Sequence, residues 1–268
     1  MRKLFTKRFA QAFVLLLCGV LVLSCIACKK KEPTPAPVTA PTYVSPYDWS
    51  SLVYENGRIS YVKDGTLASL SGIDVSEHQG EIDWNAVAAD GIDYAIIRLG
   101  NRGSTDGLVY LDDYFYTNLE NAGNAGILVG VYFFSQALDE DEAVEEAQTV
   151  LRALEGIPLD YPVFFDYEPV DIPNARANDL TDEQLSLNAQ AFCETIEAGG
   201  LTPMLYGTEK NVDRIDAGLR ERYGVWLAEY DVKAPSAEMD FTMWQYTSSG
   251  TVAGIDTSVD MDIQFLHP

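Results

Sequence analysis

The chain has 268 residues, 47% of them hydrophobic and 22% charged, which is enough to bury a barrel-sized core and too apolar for global disorder. Eighteen Lys and Arg against 41 Asp and Glu leave a net charge of −23, which excludes a nucleic-acid binder that works by neutralising phosphates and argues against docking on anionic lipid. Four cysteines are too few for a disulfide scaffold, and the two histidines, His78 and His267, exclude a histidine-rich zinc site and argue against Ser-His-Asp or Cys-His catalysis.

Chemistry in this chain therefore has to be built from carboxylates and aromatics, with no metal and no cofactor expected. At the N-terminus, Arg2, Lys3, Lys7 and Arg8 precede an apolar run from Phe9 to Leu23 and then Ser24-Cys25. A basic start, a short apolar segment and a small residue before the cut are the pattern of a secretory signal. Val22-Leu23-Ser24-Cys25 resembles the bacterial lipobox, in which the cysteine is lipidated and becomes the first residue. Cys28, after Ala27, fits less well. The expectation is a signal peptide over 1–24, a lipid on Cys25 and an extracytoplasmic protein held at the bacterial cell membrane. Residues 25–46 then form a tether, because Pro33, Pro35, Pro37, Pro41 and Pro46 recur among Thr, Ala and Val and favour extended polyproline II.

Residues 47–70 read as a small appendage, with Asn56-Gly57 between two β-rich runs as a hairpin signal. From 71 to 268 short apolar runs recur at 72–76, 94–100, 128–135, 161–168, 202–207, 225–230, 242–247 and 258–265. Most are continuous, as expected of strands buried on both faces. Helical segments fall at 83–89, 110–125, 140–154, 181–198 and 208–218, the fourth opening on a capping-box pairing of Thr181 with Gln184. Cys193, inside that helix, reads as a buried small hydrophobe. The predicted fold class is α/β, a modified TIM-like (β/α) barrel of eight strands with an incomplete ring of about five helices.

In such a barrel the strand ends carry the functional side chains. Asp74 lies on the first strand and Arg98 ends the second. The third strand carries Tyr132 and Phe134, and the fourth ends Phe164-Phe165-Asp166-Tyr167-Glu168. Tyr206 ends the fifth. The sixth carries Trp226, Glu229 and Tyr230, the seventh Trp244, Gln245 and Tyr246, and the eighth Asp260 and Asp262. Asp166 and Glu168, at i and i+2, share one face with α-carbons roughly 6.6 Å apart. Crowding and partial desolvation raise one pKa of such a pair and leave a protonated acid beside an ionised carboxylate, as glycosidic cleavage needs. Glu168, longer and nearer the mouth, is the predicted general acid. Tyr132, Phe134, Tyr206, Trp226, Tyr230 and Trp244 offer flat faces to sugar rings, with Arg98 and Gln245 as polar contacts.

The runs Gly72-Ile73-Asp74-Val75-Ser76-Glu77-His78-Gln79-Gly80, Phe164-Phe165-Asp166-Tyr167-Glu168, Trp226-Leu227-Ala228-Glu229-Tyr230, Trp244-Gln245-Tyr246 and Val259-Asp260-Met261-Asp262 together resemble glycoside hydrolase family 25, the bacterial-type lysozymes or N-acetylmuramidases. The resemblance spans residue 72 to about 266. It implies cleavage of the β-1,4 bond between N-acetylmuramic acid and N-acetylglucosamine in peptidoglycan, with Glu168 as acid/base. It assigns Asp166 to the second acid, which orients the acetamido group or assists the oxocarbenium-like centre. Asp74 and Asp260 complete the acidic cluster. One departure is Asp262, where the family often has Asn, so an extra negative charge is expected near the site. The competing readings are a chitinase-like endo-N-acetylglucosaminidase and a non-catalytic glycan-binding lipoprotein. A monomer that binds peptidoglycan strands and no nucleic acid is expected.

Overall fold

The computed structural model describes residues 43–266; the expected signal peptide, Cys25, Cys28, His267 and most of the expected tether lie outside the described residues. Eight strands close a barrel: β4 (Ser69–Val75), β5 (Tyr94–Arg102), β7 (Leu128–Phe134), β8 (Val163–Asp166), β9 (Pro203–Thr208), β10 (Val225–Ala228), β11 (Met243–Gly250) and β12 (Val259–Phe265). Neighbours from β4 through β11 run parallel. β12 runs antiparallel between β11 and β4 and closes the ring. Its reversed direction carries Asp260 to the mouth, where its Cα pairs with Asp74.

Alternation along the strands sorts the core into two layers. Tyr94, Ile96, Phe164, Tyr206, Trp226, Ala228 and Met243 fill the barrel. Their neighbours Ala95, Ile97, Phe165, Leu205, Leu227 and Trp244 belong to the outer layer with helical residues such as Val87, Phe115 and Phe192. The helices are α1 (Trp84–Ala89), α2 (Phe115–Asn124), α3 (Glu140–Ala153), α4 (Asp182–Ala198), α5 (Glu209–Val212) and α6 (Ala217–Tyr223). Cys193 is fully buried on α4, and burial pushes its thiol pKa far up, so it packs as a hydrophobe.

Three local expectations change. The helix expected from Tyr110 begins at Phe115, because the β-prone run Val109–Leu111 forms β6 and pairs antiparallel with β5. The last expected helix is two, because the Asp216 side chain accepts the Gly218 N–H and caps a fresh start. The capping box on α4 is half formed. Thr181 accepts from the Gln184 N–H, but the Gln184 amide donates to Glu140 and Asn188. A complete box sits at Ser76–Gln79, where the opening run makes one tight turn off β4.

The appendage is a meander of β1 (Leu52–Glu55), β2 (Arg58–Lys63) and β3 (Thr66–Leu67). Asn56 and Gly57 both take positive φ, 53° and 76°, the turn that suits a two-residue hairpin. Leu52, Ile59 and Tyr61 join the same outer core as Phe241, Tyr246 and Phe265. The segment thus covers barrel wall around β11 and β12, where no helix is inserted.

Candidate active site

The alternation that builds the barrel also aims its acids. Asp166 ends β8 on the inner face, Tyr167 turns outward to donate its hydroxyl to the Ala177 carbonyl, and Glu168 returns to the inside. The run stays extended past the strand end because the edge of β7 holds it. Ser135 N–H donates to the Asp166 carbonyl at 2.7 Å, and the Gln136 side-chain amide donates to the Glu168 carbonyl at 3.0 Å. Asp166, Glu168, Asp74 and Asp260 all line one cavity of about 210 Å³, together with Arg98, Tyr132, Phe134, Tyr206, Trp226, Tyr230 and Ser248.

Burial is the largest influence on every one of these acids. Burial and the neighbouring Glu168 raise Asp166 well above the ordinary carboxylate range, and the Arg98 guanidinium opposes them. Burial and Asp260 raise Glu168, opposed by the Tyr206 hydroxyl. Burial, Asp262 and Asp260 raise Asp74, opposed by Gln245, while Asp260, nearer the mouth, is pushed up to about 6. The sequence expectation places the retained proton on the outer acid of the pair. Burial and Glu168 raise the deeper Asp166 as well, and its Oδ1 has no hydrogen-bond partner, so both acids of the pair are shifted toward the protonated form.

The aromatic residues divide by depth. Tyr132, Phe134 and Tyr230 are partly exposed at the mouth and can stack on a ring. Trp226 and Tyr206 are floor: Trp226 packs against Phe164 and Tyr206 with centroids 4.9 and 4.4 Å away, and its indole N–H donates to Asp262 at 2.9 Å. Two expectations do not hold. Trp244 cannot face a sugar, because it alternates with the inward Gln245 and so points to the outer core, its indole N–H on the Glu229 carbonyl at 2.8 Å. Gln245 does not line the cavity; it lies beneath. Its Oε1 accepts from the Tyr206 and Tyr230 hydroxyls and its Nε2 donates to Asp74, so it ties both phenols to that carboxylate. Glu229 also faces away, accepting from the Ser236 N–H and hydroxyl.

Arg98 lines the cavity, yet its nitrogens are engaged by Asp112 and Glu77, each at 2.8 Å, with His78 Nε2 at 3.4 Å. It lowers Asp166 through space and is not a free hook for an anion. Sequence reasoning missed Gln136, Asp112 and Ser248. Gln136 stands just past the end of β7, which is the available signal; Ser248 lies within β11 and Asp112 at a strand-to-helix junction, and neither carries one. Among the described residues no group of three or more His, Cys, Asp or Glu side chains has the arrangement of a metal site.

The profile of glycosyl hydrolases family 25 matches residues 73–255. The autolytic lysozyme of Clostridium acetobutylicum is 29% identical over 194 residues, 72% of this chain and 55% of that protein. Lysozyme M1 of Streptomyces globisporus is 29% identical over 203 residues, 72% and 67% of the two chains. The chain thus spans about half the length of the first of these relatives. Among solved structures, the bacterial lysozyme from Streptomyces coelicolor superposes with a TM-score of 0.59 at 26% identity, covering 72% of this chain and 90% of that one. The modular autolysin LytC from Streptococcus pneumoniae, solved with a synthetic peptidoglycan ligand, gives a TM-score of 0.66 at 23% identity, over 80% and 52%, a likeness of fold.

Proposed function

The chain belongs to glycosyl hydrolases family 25, and from that premise we propose that it is a muramidase, cleaving the β-1,4 bond between N-acetylmuramic acid and N-acetylglucosamine in peptidoglycan. The observation that carries this reading is the Asp166–Glu168 pair, two crowded, partly desolvated carboxyls opening into one cavity with Asp74 and Asp260. Glu168 lies at the open side. When a sugar covers it, the last water leaves its carboxyl, its proton is held more tightly, and it can pass that proton to the departing glycosidic oxygen. As an anion it then takes a proton from the incoming water. Asp166, below it, has an acceptor oxygen with no donor, which suits the N–H of a substrate acetamido group. Asp260, paired across the strands with Asp74, supplies negative charge near the ring where positive charge develops. Tyr132, Phe134 and Tyr230 provide the stacking surface.

Mass spectrometry of fragments released from purified peptidoglycan tests the bond assignment. New reducing ends on muramic acid are expected. New ends on glucosamine replace this reading with the endo-N-acetylglucosaminidase one, and no fragments at all leave a glycan binder. We also propose an extracytoplasmic location with Cys25 as the lipid-bearing N-terminal residue, on the strength of the basic, apolar and Ser24-Cys25 sequence pattern. The mass of the mature N-terminus in membranes of an expressing bacterium checks it: a diacylglyceryl-modified Cys25 is expected, and an unmodified or uncleaved N-terminus rejects it.

A further inference from the structure

A second cavity lies outside the barrel ring. The β1–β2 hairpin and the C-terminal half of β11 enclose a groove of about 570 Å³, and Asp231 and Val232, just after β10, complete its lining. Its hairpin side, Tyr54 to Ile59, precedes the residues 73–255 that match the family. The groove adjoins the mouth at two points. Tyr230 lines the active-site cavity, and the next residue, Asp231, lines the groove. Ser248 lines the cavity, and Thr247 and Ser249 on either side of it line the groove. Consecutive α-carbons are about 3.8 Å apart, so the two spaces share a wall one residue thick.

Tyr54 stands out in this groove. It is two positions from Leu52 and directly across from Ile59, so the three share the face of the hairpin turned to the barrel. Leu52 and Ile59 are buried there, whereas Tyr54 is 53% exposed. At its level the wall stands back from the hairpin, and the ring is left open to the groove. The rest of the lining decides the class of ligand. Thr247, Ser249 and Thr251 bring hydroxyls and Asn56 an amide, while Glu55 and Asp231 are exposed acids. Arg58 is spent on Asp90 at 2.5 Å, and its Nη1 is shut off from solvent. A peptide bearing carboxylates would meet two acids and no free cation. An aromatic ring among hydroxyls, an amide and carboxylates suits an uncharged sugar, whose apolar face stacks while its hydroxyls hydrogen-bond. The volume is that of a small-molecule site.

We propose that this groove is a remote subsite for the glycan strand that enters the mouth, holding an uncharged N-acetylglucosamine unit against Tyr54. The protein then favours long strands over short fragments. Any effect on turnover rests on the muramidase reading; the binding itself does not.

Binding is measured on Glu168→Gln protein, which holds strands without cutting them, by titration with long glycan strands stripped of stem peptides and with a single disaccharide repeat. Long strands should bind about tenfold more tightly than the repeat. Tyr54→Ala should lose most of that advantage, about a tenfold loss on long strands and less than about twofold on the repeat, because only the stacking surface is gone. Tyr54→Phe keeps the ring and should keep the advantage. Ser249→Trp fills the groove from the β11 side without altering the hairpin, and should act like Tyr54→Ala. An equal loss on both ligands, an undiminished advantage in Tyr54→Ala or Ser249→Trp, or a loss in Tyr54→Phe as large as in Tyr54→Ala overturns the proposal. So does a free stem peptide that binds the Glu168→Gln protein and loses its site in Ser249→Trp. Failure of the parent to release fragments from peptidoglycan strikes the muramidase reading alone, since the length advantage is read without cleavage.

Discussion

Glu168→Gln is expected to lower the rate of fragment release from purified peptidoglycan by about 10³-fold while leaving wall binding within about threefold. The amide fills the same space and can still meet the Tyr206 hydroxyl that faces the carboxyl. What it lacks is a proton it can give to the departing oxygen and take back from water. The parent should lose activity as pH rises through the value at which Glu168 ionises. That value lies above the ordinary glutamate range, because burial and Asp260 both disfavour the anion. The same substitution should raise thermal stability at neutral pH. A carboxyl whose folded-state pKa is raised contributes fully below its unfolded value, and the contribution is lost as pH climbs through the folded one. Glutamine does not titrate and escapes that loss. Melting curves at acidic and neutral pH check the sign: the variant's advantage should grow with pH. A variant that lyses walls at the parental rate shows that the acid has been misassigned.

The barrel was legible because its strands are buried on both faces, so each appears as a short unbroken apolar run such as Phe164-Phe165 or Ala95-Ile96-Ile97. The mouth was legible because polar residues that interrupt or end such runs have few other reasons to be there. Depth was not. Apolar runs do not reveal which residue of an adjacent pair faces inward, so the sequence alone places both Trp244 and Gln245 at the site although neighbours on a strand face opposite sides. Nor does composition distinguish a stacking platform from a floor; Trp226 becomes floor because its indole is tied down to Asp262. β6 and the break before Ala217 depend on tertiary pairing and on a single capping aspartate, and neither leaves a periodic signal.

Arg102 carries the second large effect, one that bears on stability first. Its side chain is 3% exposed and is held by Glu146 and Glu145, each at 2.8 Å, and by the carbonyls of Gly107 and Glu142. Glu142 in turn takes Arg176 at 2.7 Å, and Arg176 donates to the Gln136 carbonyl. Gln136 is the residue whose amide holds the Glu168 carbonyl, so this charge network braces the strand-end segment behind the acid. Arg102→Met removes one partner of a buried pair and takes away the donor of the Gly107 carbonyl. Such losses cost about 3–5 kcal/mol, a fall in Tm on the order of 10 °C for a domain of this size. The cost should depend on pH in a definite direction. Burial raises Glu146 to about 7 even with Arg102 opposing it. In the parent, stability is therefore lost as pH passes through 7. Without the guanidinium Glu146 holds its proton to higher pH, and the loss continues beyond that point. The deficit of Arg102→Met should be smaller at acidic pH, where Glu146 is neutral in both proteins, and larger on the alkaline side of 7. Arg102→Lys, which keeps the charge but not the fork, should recover only part of it. Melting curves across that range decide the matter: a deficit that shrinks as pH rises would mean Glu146 is not the group left exposed by the loss of Arg102.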